Sequence, residues 1–276
     1  MIPYGRQNID KGDIDEVVKV LKSNWLTQGP KVRELEEVLA KYTGAKYAVA
    51  CSNGTAALHL AYLAAGLGKG DEVITTPNTF AATSNMLMAV GAKPVFCDIR
   101  LDTYNIDEEK IEKLVTSKTK AITPVHFAGQ SCDMEKIKKI AKKYKLIVIE
   151  DACHALGGKY SAKGGSQPKA DQPLAGAKNF GGKSSKIGSC KYSDMSVFSF
   201  HPVKSITTGE GGAVLTNDKK YYEKLISLRS HGIHKDKKGK NVMDELGFNY
   251  RITDIQCALG ISQFKKLDGF IKKRQE

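Results

Sequence analysis

Apolar residues along this chain gather mostly into short continuous runs rather than alternating ones. Seven such runs read as strands: 46–51 (KYAVAC), 72–76 (EVITT), 94–98 (PVFCD), 120–125 (KAITPV), 146–150 (LIVIE), 195–200 (MSVFSF) and 212–216 (GAVLT). Successive side chains of a strand point to opposite faces of the sheet, so a continuous apolar run predicts burial on both faces. Between most of these runs the spacing turns helical. Ile14, Val17, Val18 and Leu21 recur on one helical face, with Asp13 and Glu16 as a capping-box-like start. Asp107 can cap a helix bearing Ile111, Leu114 and Val115, and Asp133 one with Met134, Ile137, Ile140, Ala141 and Tyr144 inward. An alanine- and leucine-rich helix begins near Thr55. Strand–helix alternation predicts an α/β fold, a mostly parallel sheet covered by helices.

Two stretches depart from the alternation. Residues 157–191 hold eight glycines, seven lysines and one acidic residue, Asp171. That composition predicts an exposed, mobile, basic insertion between two core strands. The final stretch, TDIQCALGISQFKKLDGFIKKRQE, reads as a helix or a helix pair with no further domain after it, and so suggests a fragment.

Composition narrows the class. At 276 residues and 41% apolar content the chain can bury one large core or two modest ones. No apolar stretch is long enough to span a bilayer, and the opening MIPYGRQNIDKGDID has no apolar signal region. Six cysteines, at 51, 97, 132, 153, 190 and 257, form no CxxC pair and read as reduced core thiols of a cytoplasmic protein. The net charge of +13 arises from lysines on predicted helix surfaces and in 157–191. No aromatic-interleaved basic stripe, zinc spacing or helix-turn-helix pattern accompanies it, so the charge reads as solvated faces rather than a nucleic-acid surface.

The candidate chemistry lies at the ends of the predicted strands. In MSVFSFHPVKSITTGEGG a strand is stopped by Pro202, and Lys204 follows at its end, where α/β enzymes place their chemistry. A lysine there can form a Schiff base with an aldehyde if its surroundings lower its pKa. In SNGTAALHLAYLAAG, Gly54 and Thr55 open a helix whose free N–H groups suit a phosphate; equally, Asn53 and Gly54 make an ordinary cap. In EDACHALG, Asp151 can pair with a cationic ring nitrogen or cap a helix, and His154 can touch a ring or pack. In TPNTFAAT, Phe80 falls one turn into a helix, where it can stack on a flat ring or join the core. Ser199 can donate to a phosphate or be a plain strand serine. A phosphate turn, a stacking aromatic, a strand-end Asp and a strand-end Lys, in that order, are the parts of a pyridoxal-phosphate site.

The segments SNGTAALHLAY, TTPNTFAAT, IEDACHALG, SVFSFHPVKSITTGEGGAV, LRSHGI and LGFNYRITDIQCALGISQFKKLD run from near the start of the chain to about residue 270. They resemble the sugar-nucleotide aminotransferases of the DegT/DnrJ/EryC/StrS group. YGRQNID, HFAGQS and FSFHPVKSITTGEGGA are most similar to its pseudaminic acid branch. The resemblance implies a three-layer α/β/α sandwich with a seven-stranded sheet, one strand antiparallel, and pyridoxal 5'-phosphate as cofactor. It implies Lys204 as the Schiff-base lysine, Asp151 on the pyridine nitrogen, Phe80 on the ring and His154 beside it. Gly54, Thr55 and Ser199 would hold the phosphate. Asn249 would reach the phosphate of a neighbouring subunit, making a homodimer with shared sites, and Thr27 and Gly29 would line the same site. The implied reaction moves an amino group from L-glutamate to a nucleotide-linked 4-keto-6-deoxy sugar, with no nucleic-acid or membrane partner. Amination at C3 or of another isomer, and a non-catalytic relative, are the alternatives. A dehydratase of the same fold would carry histidine in place of Lys204. On this resemblance residues 1–250 form the cofactor-binding large domain. Residues 251–276 begin a helical connection to a small C-terminal domain that is largely absent.

Overall fold

The computed structural model describes residues 5–160 and 185–276. The strands are β1 (Tyr47–Cys51), β2 (Glu72–Thr75), β3 (Lys93–Phe96), β4 (Thr119–Ile122), β5 (Ile147–Asp151), β6 (Met195–Ser199) and β7 (Gly212–Thr216). They form one sheet in the order β1-β7-β6-β5-β4-β2-β3. β7 is antiparallel to both neighbours and the remaining pairs are parallel. Each strand overlaps its predicted run, with ends that differ by a few residues. β4 stops earlier than predicted because Pro124, just beyond, has no N–H to give a ladder.

Alternation along the strands builds both faces. Val49, Val73, Ala121, Ile149, Val197 and Val214 join one buried cluster with α3 (Gly54–Ala64), α4 (Ala82–Ala89) and α7 (Lys219–Arg229). Ala48, Ala50, Phe198, Ala213 and Leu215 face the other way, against α2 (Pro30–Thr43) and α8 (Asp254–Phe264). Ile74, Ile122 and Val148 continue that second face under α5 (Glu108–Ile111) and α6 (Met134–Tyr144). The result is the three-layer α/β/α sandwich. Asp107 and Asp133 cap α5 and α6 as predicted.

α1 (Lys11–Leu21) corrects the sequence in two respects. Its cap is Asp10, which completes a capping box with Asp13, one turn before the predicted start. Ile14 and Leu21 are each 54% exposed, and the helix instead buries Asp13 and Val20. The reason is its partner. α1 docks on α8 through Asp13, whose carboxylate accepts hydrogen bonds from the Gln263 amide (2.7 Å) and the Lys266 ammonium (2.6 Å).

The final stretch is a helix pair, α8 followed by α9 (Leu267–Gln275). Ile252, Cys257, Ile261, Phe264 and Leu267 share a core with Leu35 and Leu39 of α2. Most of the predicted insertion, residues 161–184, lies outside the described residues. Its described ends pair with each other: Tyr160 N–H donates to Ser185 O, and Ile187 N–H to Gly158 O. Ile187 and Cys190 are buried. All six cysteines are free, and five are buried. Among the described residues no helix is long and apolar enough to cross a membrane.

Candidate active site

Apart from β7, every strand of the sheet points the same way, so their carboxyl ends share one edge. A cavity of about 990 Å³ opens there. Gly54, Thr55, Phe80, Asp151, His154, Ser199 and Lys204 all line it. They come from the ends of β1, β2, β5 and β6, which is where ligands bind in open α/β sheets.

The first turn of α3 forms one wall. Asn53 is its cap, with the side-chain oxygen accepting the Ala56 N–H at 2.8 Å. The Gly54 and Thr55 N–H groups have no acceptor among the described residues, and they stand at the positive end of an 11-residue helix. A Cβ on Gly54 would fall 2.8 Å from Ser199 Cβ, so glycine is what lets this turn lie against the end of β6. The cap reading and the phosphate reading therefore coexist: Asn53 satisfies one amide and leaves two open. With the Thr55 and Ser199 hydroxyls beside them, these amides suit a phosphate.

Asp151 ends β5 and is 5% exposed. No helix starts there, so it is not a helix cap. Its Oδ2 accepts the Thr83 hydroxyl at 2.7 Å and its Oδ1 the Cys153 N–H at 3.2 Å. Its backbone is tied to the neighbouring segment: Asp151 N–H donates to Pro124 O, and Asp151 O accepts from His126 N–H. Glu150 faces the other side of the strand, fully buried. It accepts from His126 Nε2 (2.6 Å), Tyr160 OH (2.8 Å) and the Ser193 hydroxyl. His126 Nδ1 accepts the Cys132 N–H at 3.1 Å, which places the ring proton on Nε2. Asp151 is thus a carboxylate fixed by two donors at the cavity wall, with lone pairs left for a cationic ring N–H.

Lys204 follows β6 and is half-buried. Its N–H donates to His201 O at 2.9 Å, and its carbonyl accepts the Arg274 guanidinium at 2.9 Å. Its Nζ has no hydrogen-bond or ion-pair partner among the described residues. The His154 imidazole is pushed below its ordinary value of 6.5, by burial first and the Lys204 ammonium second. Burial likewise pushes the Cys153 thiol well up, with the Asp151 charge adding to it. An unpaired amine, a buried carboxylate and open helix amides around one cavity are the donor set that pyridoxal phosphate requires.

Phe80 lines the cavity, but on the turn before α4 rather than one turn into it. It is 75% exposed, which removes the core-packing alternative. Asn249 does not line the cavity of its own chain; it is exposed and bridges to Ser230. Thr27 and Gly29 do not line it either. Thr27 bridges to Thr253, and the Gly29 N–H donates to Asp254 Oδ2 at 2.6 Å, so both serve the start of α8. The sequence reading missed Thr83 and Tyr250. Thr83 closes the TPNTFAAT segment that carries Phe80. Tyr250 follows Asn249, lines the cavity and meets His59 Nδ1 through its hydroxyl at 3.0 Å.

Residues 7–276 match the DegT/DnrJ/EryC1/StrS aminotransferase family. A UDP-4-amino-4,6-dideoxy-N-acetyl-beta-L-altrosamine transaminase of Campylobacter jejuni is 48% identical over 279 residues, covering 100% of this chain and 67% of the relative. The structure of Helicobacter pylori PseC, an aminotransferase involved in the biosynthesis of pseudoaminic acid, superposes with a TM-score of 0.84 at 38% identity. That match covers 97% of this chain and 66% of PseC. The PLP form of a putative sugar aminotransferase, Spr1654 of Streptococcus pneumoniae, gives a TM-score of 0.83 at 30% identity, with coverage of 97% and 67%. The chain therefore spans about two thirds of the length of the relatives it matches.

Proposed function

The chain belongs to the DegT/DnrJ/EryC1/StrS aminotransferase family, and we propose on that premise that it aminates a nucleotide-linked 4-keto-6-deoxy sugar with L-glutamate as donor. The product would be of the UDP-4-amino-4,6-dideoxy-N-acetyl-altrosamine type, as the names of its relatives suggest. The family's cofactor is pyridoxal phosphate, and solved relatives include its PLP and PMP forms. The observation that carries the reading is the meeting of Lys204, Asp151 and the first turn of α3 on one cavity.

Bound pyridoxal phosphate supplies a carbon that condenses with amines and a ring that withdraws electrons. The protein does the rest. The Gly54 and Thr55 amides, with the Thr55 and Ser199 hydroxyls, bind the phosphate and fix its orientation. Asp151, held by Thr83 and the Cys153 N–H, keeps a proton on the ring nitrogen. Phe80 would stack on the ring face. Lys204 would be the amine that holds the cofactor, and its free amine would take the proton from the donor's Cα and return it in the reverse sense to the acceptor. His154, whose imidazole is held below its ordinary value by burial and then by the Lys204 charge, flanks the site.

A homodimer with shared sites completes the reading. Asn249 sits outside its own cavity, beside a hairpin of β8 (Ile233–Lys235) and β9 (Asn241–Met243). That hairpin and the segment after it expose Ile233, Val242, Met243 and Leu246, an apolar surface suited to a second copy. The free thiols suit a reducing compartment, so the cytoplasm is the proposed location. The test is amino transfer itself. The protein with cofactor, glutamate and a UDP-linked 4-keto-6-deoxy sugar should release 2-oxoglutarate and the amino sugar in equal amounts. Lys204→Ala should release neither, and retained turnover in that variant would sink the assignment.

A further inference from the structure

A second, smaller cavity of about 220 Å³ shares Lys204 with the first. Arg6, Lys273 and Arg274 line it, with Ser205 and Phe270, and no carboxylate does. Arg6 and Lys273 make no ion pair or hydrogen bond among the described residues, and Arg274 donates only to the Lys204 carbonyl. Ser205 is 9% exposed, yet its hydroxyl has no partner among the described residues and opens on this cavity. Three cations around one crevice repel each other until an anion arrives.

We infer that this cavity binds the diphosphate of the nucleotide-linked acceptor while the keto-sugar carbon is presented to Lys204 in the larger cavity. The inference rests on the proposed function. A diphosphate offers two charges and several acceptor oxygens, which match guanidinium forks and an ammonium better than one carboxylate does. In a nucleotide-linked 4-keto sugar the reacting carbon and the diphosphate stand at opposite ends of the hexose ring. Both cavities are lined by Lys204, the lysine at which the keto carbon reacts.

The test titrates the cofactor-loaded protein with UDP by calorimetry, so that the cofactor's own phosphate site is already filled. Arg6→Gln and Lys273→Gln remove cations that hold nothing else among the described residues, and each should weaken UDP binding about tenfold. Ser205→Ala should weaken it severalfold. The same variants should raise KM for the nucleotide sugar by matching factors and leave the glutamate half-reaction unchanged. UDP binding unchanged in both charge variants overturns the inference. So does a rise in the KM for glutamate in place of the sugar, which would give the cavity to the donor's carboxylate. If UDP binds and the variants weaken it, but no 4-keto sugar is aminated, the subsite stands and the proposed reaction falls.

Discussion

Asp151 shows how much of the chemistry depends on a neighbour that does none. Its carboxylate is buried at the end of β5 and is oriented by the Thr83 hydroxyl at 2.7 Å. A hydrogen bond to a charged group is worth about 1.5–3 kcal/mol. Thr83→Val keeps the shape and removes that donor, so affinity for pyridoxal phosphate should fall about tenfold, measured by equilibrium titration. Thermal stability should fall as well, because the buried carboxylate loses a donor. His154 reports on Lys204 in a similar way. Its titration midpoint lies below the ordinary 6.5 because burial and the Lys204 charge both oppose a second positive charge. In cofactor-free Lys204→Ala the midpoint, followed by NMR, should rise yet stay below 6.5, since burial remains. An unchanged midpoint would place the ammonium elsewhere.

At the scale of elements, the turn from β1 into α3 joins stability to binding. Asn53→Ala removes the cap on the Ala56 amide and should lower the unfolding free energy by about 1 kcal/mol, read by denaturant titration. Gly54→Ala should cost more than the cap. Its methyl would press on Ser199 Cβ and force α3 away from the end of β6, so cofactor binding should fail along with stability. Such elements were largely legible in the chain. A strand covered on both faces needs apolar side chains at most positions, and most of the seven runs announced themselves that way; the edge strand β3 is the exception, with Lys93 and Phe96 exposed. The strand-end positions of Asp151, Ser199 and Lys204 followed directly. What local spacing does not encode is who covers a face. Ile14, Val18 and Leu21 read as a core stripe, but α1 docks through Asp13 to residues some 250 positions away. Gly29 likewise reads as a site glycine until Asp254 is seen to take its N–H. Phe80 was placed in a helix because nothing in TPNTFAAT marks where the turn ends and α4 begins.

Across the whole molecule, the contact between α1 and α8 joins the two ends of the chain. Burial resists ionisation of Asp13, but the Lys266 ammonium and the Ser262 and Gln263 donors outweigh it and hold the carboxyl below its ordinary 3.8. The folded value is thus lower than the unfolded one. The contact contributes its full stability above about pH 4 and loses it as pH falls through the lower folded value. Asp13→Asn should cost about 2 kcal/mol at neutral pH and flatten the stability profile below pH 4, compared by thermal melts across acid buffers. Asn249 belongs to this scale as well. It lies outside its own cavity, and only an assembly can give it a part in a site. The claim beneath every scale is that Lys204 is the amine that condenses with pyridoxal phosphate. Borohydride reduction of the cofactor-loaded protein, followed by peptide mass mapping, tests it most directly. One phosphopyridoxyl group on the peptide bearing Lys204, lost in Lys204→Ala, is the expected result. An adduct on a different lysine, with Lys204 unmodified, would contradict it.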